Sequence, residues 1–162
     1  GGLEMLIYKK NQLKFAEYEK LGALRLKENL WELEKKTLHF SKVMEQHIES
    51  KLYLLKDVIA KYQTEYFIGL GGELKTIIKI IRGLKKSNGK SFTEDFILKE
   101  SFLELYDEIK DMSEDELLFT YNLSKKKVEL LMPSISIFYY FFKITNCTIN
   151  YNIIIHLNLI FI

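Results

Sequence analysis

The chain has 162 residues, 24 of them basic and 22 acidic, for a formal charge of +2. So even a balance gives no grounds for a nucleic-acid or acidic-membrane partner, and the one cysteine, Cys147, excludes an internal disulfide and suits a reducing, cytoplasmic setting. The length is enough for one domain with a core or for two small lobes, and Gly1 to Lys10 lacks the charged-then-apolar order of a secretion signal.

Met5 to Tyr8 is a short apolar run ending in Lys9-Lys10. After Asn11-Gln12, residues Leu13 to Glu19 alternate apolar and polar, so the pair reads as a β-hairpin with one buried face. Leu21-Gly22-Ala23 breaks that pattern. From Leu24 the period becomes helical, giving a short helix (Leu24 to Leu33) and a long one (Thr37 to Tyr62). His39, His47 and His156 are far apart and lack metal-ligand spacing, so all three read as surface or hydrogen-bonded histidines.

Glu65 to Ile68 reads as a strand running into Gly69-Leu70-Gly71-Gly72. Glu73 to Leu84 then reads as a helix with Leu74, Ile77, Ile78 and Ile81 on one face. Ser87 to Lys90 is a loop. Thr93 is a fair N-cap for a helix from Glu94 to Lys110, and Ser113 with Glu116 forms a capping box for a short helix beyond it. A last helical region runs from Lys125 through Pro133 to Ile144, and Thr148 to Ile162 reads as strand. The apolar stretches after Val128 fall short of the roughly 20 residues that span a bilayer. A buried core helix is the better account of Val128 to Ile144, with Phe138 to Phe142 as core or interface packing. The fold class is α/β or α+β.

Two glycine turns carry the chemistry: Gly1-Gly2-Leu3-Glu4, and Gly69-Leu70-Gly71-Gly72 at the opening of a helix. Bare backbone N–H groups beside a helix N-terminus can face a phosphate. The plainer reading of each is a tight turn needing positive φ, that of Glu4 is a solvated carboxylate, and that of Lys85-Lys86 and Lys125 to Lys127 is solvated surface.

Order gives the turns their meaning. The first turn is followed by a hairpin and by Lys20-Leu21-Gly22-Ala23-Leu24-Arg25-Leu26-Lys27-Glu28. A long helix, the second turn, and the segment from Leu123 to Ile137 around Pro133 come next. In that order and spacing the chain resembles, over about residues 1–145, the second lobe of the exopolyphosphatase and guanosine pentaphosphate phosphohydrolase family. That lobe opens with a pattern close to D-I-G-G-G-S-x-E and later carries G-T-G-G-T ahead of a helix. The resemblance implies an α/β, ribonuclease H-like lobe of the actin-like ATPase superfamily, with a β-hairpin, a long helix and C-terminal helices. Residues 146–162 would be an apolar strand or an atypical tail.

The resemblance also implies a hydrolase that releases terminal phosphate from inorganic polyphosphate or from guanosine penta- or tetraphosphate, with Mg²⁺. Such chemistry needs positioning and charge stabilisation more than covalent steps. Glu4 maps to the catalytic and metal-binding carboxylate, Gly1 and Gly2 to the first phosphate turn, and Gly69, Gly71 and Gly72 to the second. Arg25 maps to a segment whose role reads as structural. Gly2 stands where the family usually has Ser. Leu70 and Glu73 stand where it has hydroxyl residues, and Glu73 would repel a polyanion unless a metal or Lys75 offsets it. The family's upstream Asp and first glycine, and its first lobe with the other catalytic carboxylate, would precede these residues, so this part alone would be a poor catalyst.

A second reading is a non-catalytic remnant acting as a binding or oligomerisation module. In it the aromatic C-terminal region would hold a partner or a second copy of the chain, and apolar surface left by a missing first lobe would favour dimerisation. Nucleic acid and membrane are not expected partners. Peripheral membrane attachment through residues 135–162 is a third reading, and solubility without detergent would count against it.

Overall fold

In a computed structural model the described residues are 1–34, 36–37, 40–62, 68–69, 71–87, 96–97, 99–145 and 153–154. The expected hairpin is formed by β1 (Leu3–Lys9) and β2 (Gln12–Glu19), antiparallel, with Lys9 opposite Gln12. Lys10 and Asn11 both have positive φ, 53° and 58°. This is the two-residue turn whose twist matches that of the strands it joins. The register slips between Ile7 and Tyr8, leaving Lys14 as an extra residue, a β-bulge.

Gly22 accepts the first helical hydrogen bond, from Leu26 N–H at 2.9 Å, and opens α1 (Ala23–Glu34). The long helix α2 (Phe40–Tyr62) is kinked at Leu52, where φ and ψ are −109° and 15°. Tyr140 Oη donates to the Leu52 carbonyl at 3.0 Å, so a side chain takes up a backbone acceptor at the break. Helix α3 (Gly72–Ser87) buries Leu74, Ile77, Ile78 and Ile81, the face read from the sequence.

The helix expected from Glu94 starts later. Phe96–Ile97 form β3, paired antiparallel with β4 (Ile153–Ile154), and α4 covers Lys99–Ile109. The Thr93 cap signal is local, whereas the ladder with Ile153 and Ile154 is a contact across more than fifty residues that no local signal reports. Thr93 itself lies outside the described residues, as do His39, His156, Leu70, Cys147, most of the strand expected at Glu65 to Ile68, most of the loop at Ser87 to Lys90, and all of the strand expected at Thr148 to Ile162 except Ile153–Ile154.

The capping box is present. The Glu116 N–H donates to Ser113 Oγ at 3.3 Å, and the Ser113 N–H donates to Glu116 Oε2 at 2.7 Å, starting α5 (Glu114–Tyr121).

Helix α6 (Lys125–Ile144) is the element the others pack on. Val128, Leu131, Ile135 and Phe142 join a core with α3, α4 and α5. Ile137, Tyr140 and Phe141 join a second core with β1, α1 and α2. Pro133 sits inside this helix, and the next hydroxyl, Ser134 Oγ, donates to the Leu130 carbonyl at 2.6 Å. The aromatic run is core packing: Phe142 meets Phe102 edge-on with centroids 4.5 Å apart, and Tyr139 stacks on Tyr106 at 4.0 Å. No helix among the described residues is long and apolar enough to cross a membrane.

His47 departs from expectation. Its Nε2 is buried and has no hydrogen-bond partner. Burial, then the nearby Lys51 charge, lowers its pKa below the ordinary 6.5. Position on α2 puts that nitrogen against packed neighbours, and the spacing of histidines in the chain carries no sign of it.

Candidate functional site

The first turn lies where the chain enters β1. Three neighbours fix it. Arg25 Nε donates to the Gly1 carbonyl at 2.8 Å, tying the start of α1 to the turn. Gly22 lets the two backbones meet: a Cβ there would stand 3.0 Å from the Gly1 carbonyl carbon and 3.2 Å from Gly2 N. Tyr18 lies over Gly2, where a Cβ would fall 2.2 Å from the phenol oxygen. Glu4 is exposed on the outward face of β1, directly opposite Tyr18. The expected structural role of Arg25 is thereby specified as a clamp on the first turn.

The second turn is built differently. Gly69 is buried, Gly71 has φ +150°, and Gly72 begins α3 with Glu73 in its first turn. Positive φ at Gly71 is a conformation that side chains resist, which accounts for glycine there. Beside this turn is a cavity of about 290 Å³, lined by Gly72, Glu73, Thr76, Ser124, Lys126 and Lys127 among others. The N-termini of α3 and α6 both border it. Helix N-termini present unpaired N–H groups and partial positive charge, so two of them together favour an anion. Ser124 caps α6 without a side-chain hydrogen bond to it. Lys126 and Lys127 are exposed and form no ion pair among the described residues.

Lys125 to Lys127 read as solvated surface in the sequence, and Lys126 and Lys127 are indeed exposed, yet they border the second glycine turn. The cations beside Glu73 are these two, whereas Lys75 is exposed on α3 and does not line the cavity. The run of lysines behind a Ser cap was a visible signal. Its proximity to Gly72 was not, because α3 and α6 meet only through tertiary packing. Tyr18 and Gly22 were also missed as parts of the first turn. The two turns are carried by separate contacts, the first by β1, β2 and α1, the second by α3 and α6. Both α1 and α3 pack on α6.

Among the described residues no group of three or more His, Cys, Asp or Glu is arranged to hold a metal. Glu4 offers one carboxylate without an ion-pair partner among them. That donor set fits a Mg²⁺ ion shared with phosphate oxygens, the usual mode for this ion, and does not fit an all-protein cage.

No protein-family model and no curated protein sequence matches the chain. Solved structures do. A Ppx/GppA enzyme of Aquifex aeolicus superposes with a TM-score of 0.74 at 15% identity, over 97% of this chain and 50% of that one. The type II variant of the Aquifex aeolicus Ppx/GppA phosphatase gives 0.70 at 14% identity, again over 97% and 50%. An exopolyphosphatase from Cytophaga hutchinsonii gives 0.69 at 15% identity, over 89% and 47%. The chain has the fold of one half of a Ppx/GppA-type phosphatase. The resemblance read from the glycine turns is thus matched at the level of fold, mostly helical with a β-hairpin. The chain spans about half the length of the solved structures it matches.

Proposed function

We propose that residues 1–145 are one lobe of a phosphoanhydride hydrolase of the exopolyphosphatase type, working in the cytoplasm on inorganic polyphosphate or guanosine pentaphosphate. The observation that carries this reading is the cavity beside the second glycine turn, where Lys126 and Lys127 outnumber the one carboxylate, Glu73, and Ser124 and two helix N-termini add donors. These are groups that bind phosphate oxygens, and Gly71 and Gly72 allow close backbone approach to them.

In this reading Gly1 and Gly2 cradle the terminal phosphoryl group, while Gly69, Gly71 and Gly72 with Lys126 and Lys127 hold phosphates further along. Glu4 orients the attacking water, whose oxygen bonds to the terminal phosphorus as the anhydride P–O bond breaks. Glu4 would also hold Mg²⁺, which supplies charge neutralisation on the phosphate oxygens when bound. Arg25 and Gly22 keep the turn on α1. A second lobe would provide the facing wall and a further carboxylate, so the chain alone is expected to hydrolyse slowly. The test is phosphate release from long-chain polyphosphate with Mg²⁺, by this chain alone and by the chain joined to a first lobe of a related enzyme. The reading requires activity in the joined protein that is lost in Glu4→Gln. A well-folded joined protein without activity refutes it.

One observation favours the alternative, a non-catalytic interaction module. The outward face of the hairpin exposes Leu6, Tyr8 and Leu13 at 44%, 50% and 51%, an apolar strip suited to another lobe or a second copy. Light scattering that finds a stable monomer, together with the activity above, rules the alternative out.

A further inference from the structure

The hairpin places a hydroxyl where the first turn has no side chain of its own. An unbulged hairpin closed by the Lys10-Asn11 turn would set Glu4 opposite Glu17, two like charges in direct cross-strand contact. The extra residue at Lys14 shifts the register by one, so Glu4 faces Tyr18 instead. Tyr18 also reaches across the mouth of the first turn. A Cβ on residue 2 would fall 2.2 Å from its phenol oxygen, 2.4 Å from Cζ and 2.5 Å from Cε2. The ring therefore fills the space that any side chain at position 2 would take.

The phenol oxygen is not used by the fold. Tyr18 is 60% exposed and makes no hydrogen bond among the described residues. Phenols carry one donor and remain able to accept. Arg25 holds the carbonyl of Gly1, and in a trans peptide the N–H of Gly2 points away from that carbonyl. The phenol thus lies against the backbone of Gly2, and its residue is the cross-strand partner of the exposed Glu4.

We propose that Tyr18 is a phosphate-binding residue of the first turn. Its hydroxyl donates to an oxygen of the terminal phosphoryl group, doing from β2 what a hydroxyl side chain at residue 2 would do from the turn itself. The glycine at position 2 is then required by Tyr18 as much as by the backbone, since a larger residue evicts the ring. This proposal rests on the phosphoanhydride reading above and names a determinant within it.

The test is calorimetric titration of the 162-residue chain with tripolyphosphate and Mg²⁺. Tyr18→Phe, which keeps the ring and removes the donor, should weaken binding by about five- to tenfold. The double variant Tyr18→Ala with Gly2→Ser places a hydroxyl in the vacated space. It should bind within about threefold of the wild type, well above Tyr18→Ala alone, a rescue that lost packing would not give. Unchanged affinity in Tyr18→Phe overturns the proposal, and so does a double variant no better than Tyr18→Ala. If Lys126→Ala with Lys127→Ala weakens binding and Tyr18→Phe does not, the phosphoanhydride reading stands and only Tyr18 is dismissed. A wild-type chain that binds no tripolyphosphate overturns both.

Discussion

Tyr140→Phe probes the helix on which both turns depend. Tyr140 is buried in α6, and its hydroxyl donates at 3.0 Å to the carbonyl of Leu52, where α2 is kinked. The substitution removes one oxygen and leaves the ring packing intact. Two costs follow: the net value of the hydrogen bond, about 0.5–1.5 kcal/mol, and part of the desolvation penalty of a carbonyl left without its donor. Together they come to about 1–2 kcal/mol. For a chain of this size each kcal/mol lowers Tm by about 2–4 °C, so a fall of about 2–8 °C is expected. Its neighbour Tyr139 is the control. It stacks on Tyr106, is only half-buried, and its hydroxyl makes no hydrogen bond among the described residues. Tyr139→Phe should therefore stay within about 0.5 kcal/mol of the wild type. Urea denaturation at pH 7.5 measures both. Equal midpoints for the two variants would refute the claim that Tyr140 closes the kink.

Three further outcomes follow from the same contacts. His47 has a lowered pKa in the fold, so as pH falls below the ordinary 6.5 the unfolded chain takes up the proton first and stability drops until the folded value is passed. Urea midpoints at pH 7.5 and 5.5 should differ in that sense, and His47→Gln should flatten the difference. The Glu116 carboxyl is held below its ordinary 4.5 by the Ser113 N–H and hydroxyl, so this contribution is present above 4.5 and is lost as pH falls through the folded value. Ser113→Ala removes the cap and should cost about 1 kcal/mol at pH 7, with less loss near pH 3; an equal loss at both pH values would refute the box as its source. Gly22→Ala puts a methyl group 3.0 Å from the Gly1 carbonyl carbon and should release Arg25 from the Gly1 carbonyl, seen as a lost or shifted Arg25 Nε–H resonance. An unchanged resonance would show that the turn yields without breaking the clamp.

Much of the fold is legible along the chain because its signals are local. The helical spacing from Leu74 to Ile81 and Ser113 three residues ahead of Glu116 each fix an element within a turn or two of itself. Alternation in Leu13 to Glu19 marks a strand but not the buried face expected of it, since the bulge at Lys14 interrupts the period and β2 buries no residue. The second glycine turn is legible too, because only glycine suits φ of +150° at Gly71, whereas Gly2 has no positive φ and is held to glycine by the approach of Tyr18. The order of the two turns along the chain led to the family whose fold the structure matches.

Tertiary packing decided the rest. Whether residue 96 is helix or strand depended on Ile153 and Ile154 arriving from the end of the chain. Which residue faces Glu4 depended on a single bulge at Lys14, since a shift of one residue exchanges every partner across a hairpin. Whether Lys126 and Lys127 stand apart from the second glycine turn or border a cavity beside it depended on α3 and α6 bringing their N-termini together. Periodicity and caps act over a few residues and are written in the sequence. Register and the convergence of distant helix ends arise only when apolar faces are buried against one another, so a site assembled from them becomes visible only in the folded chain.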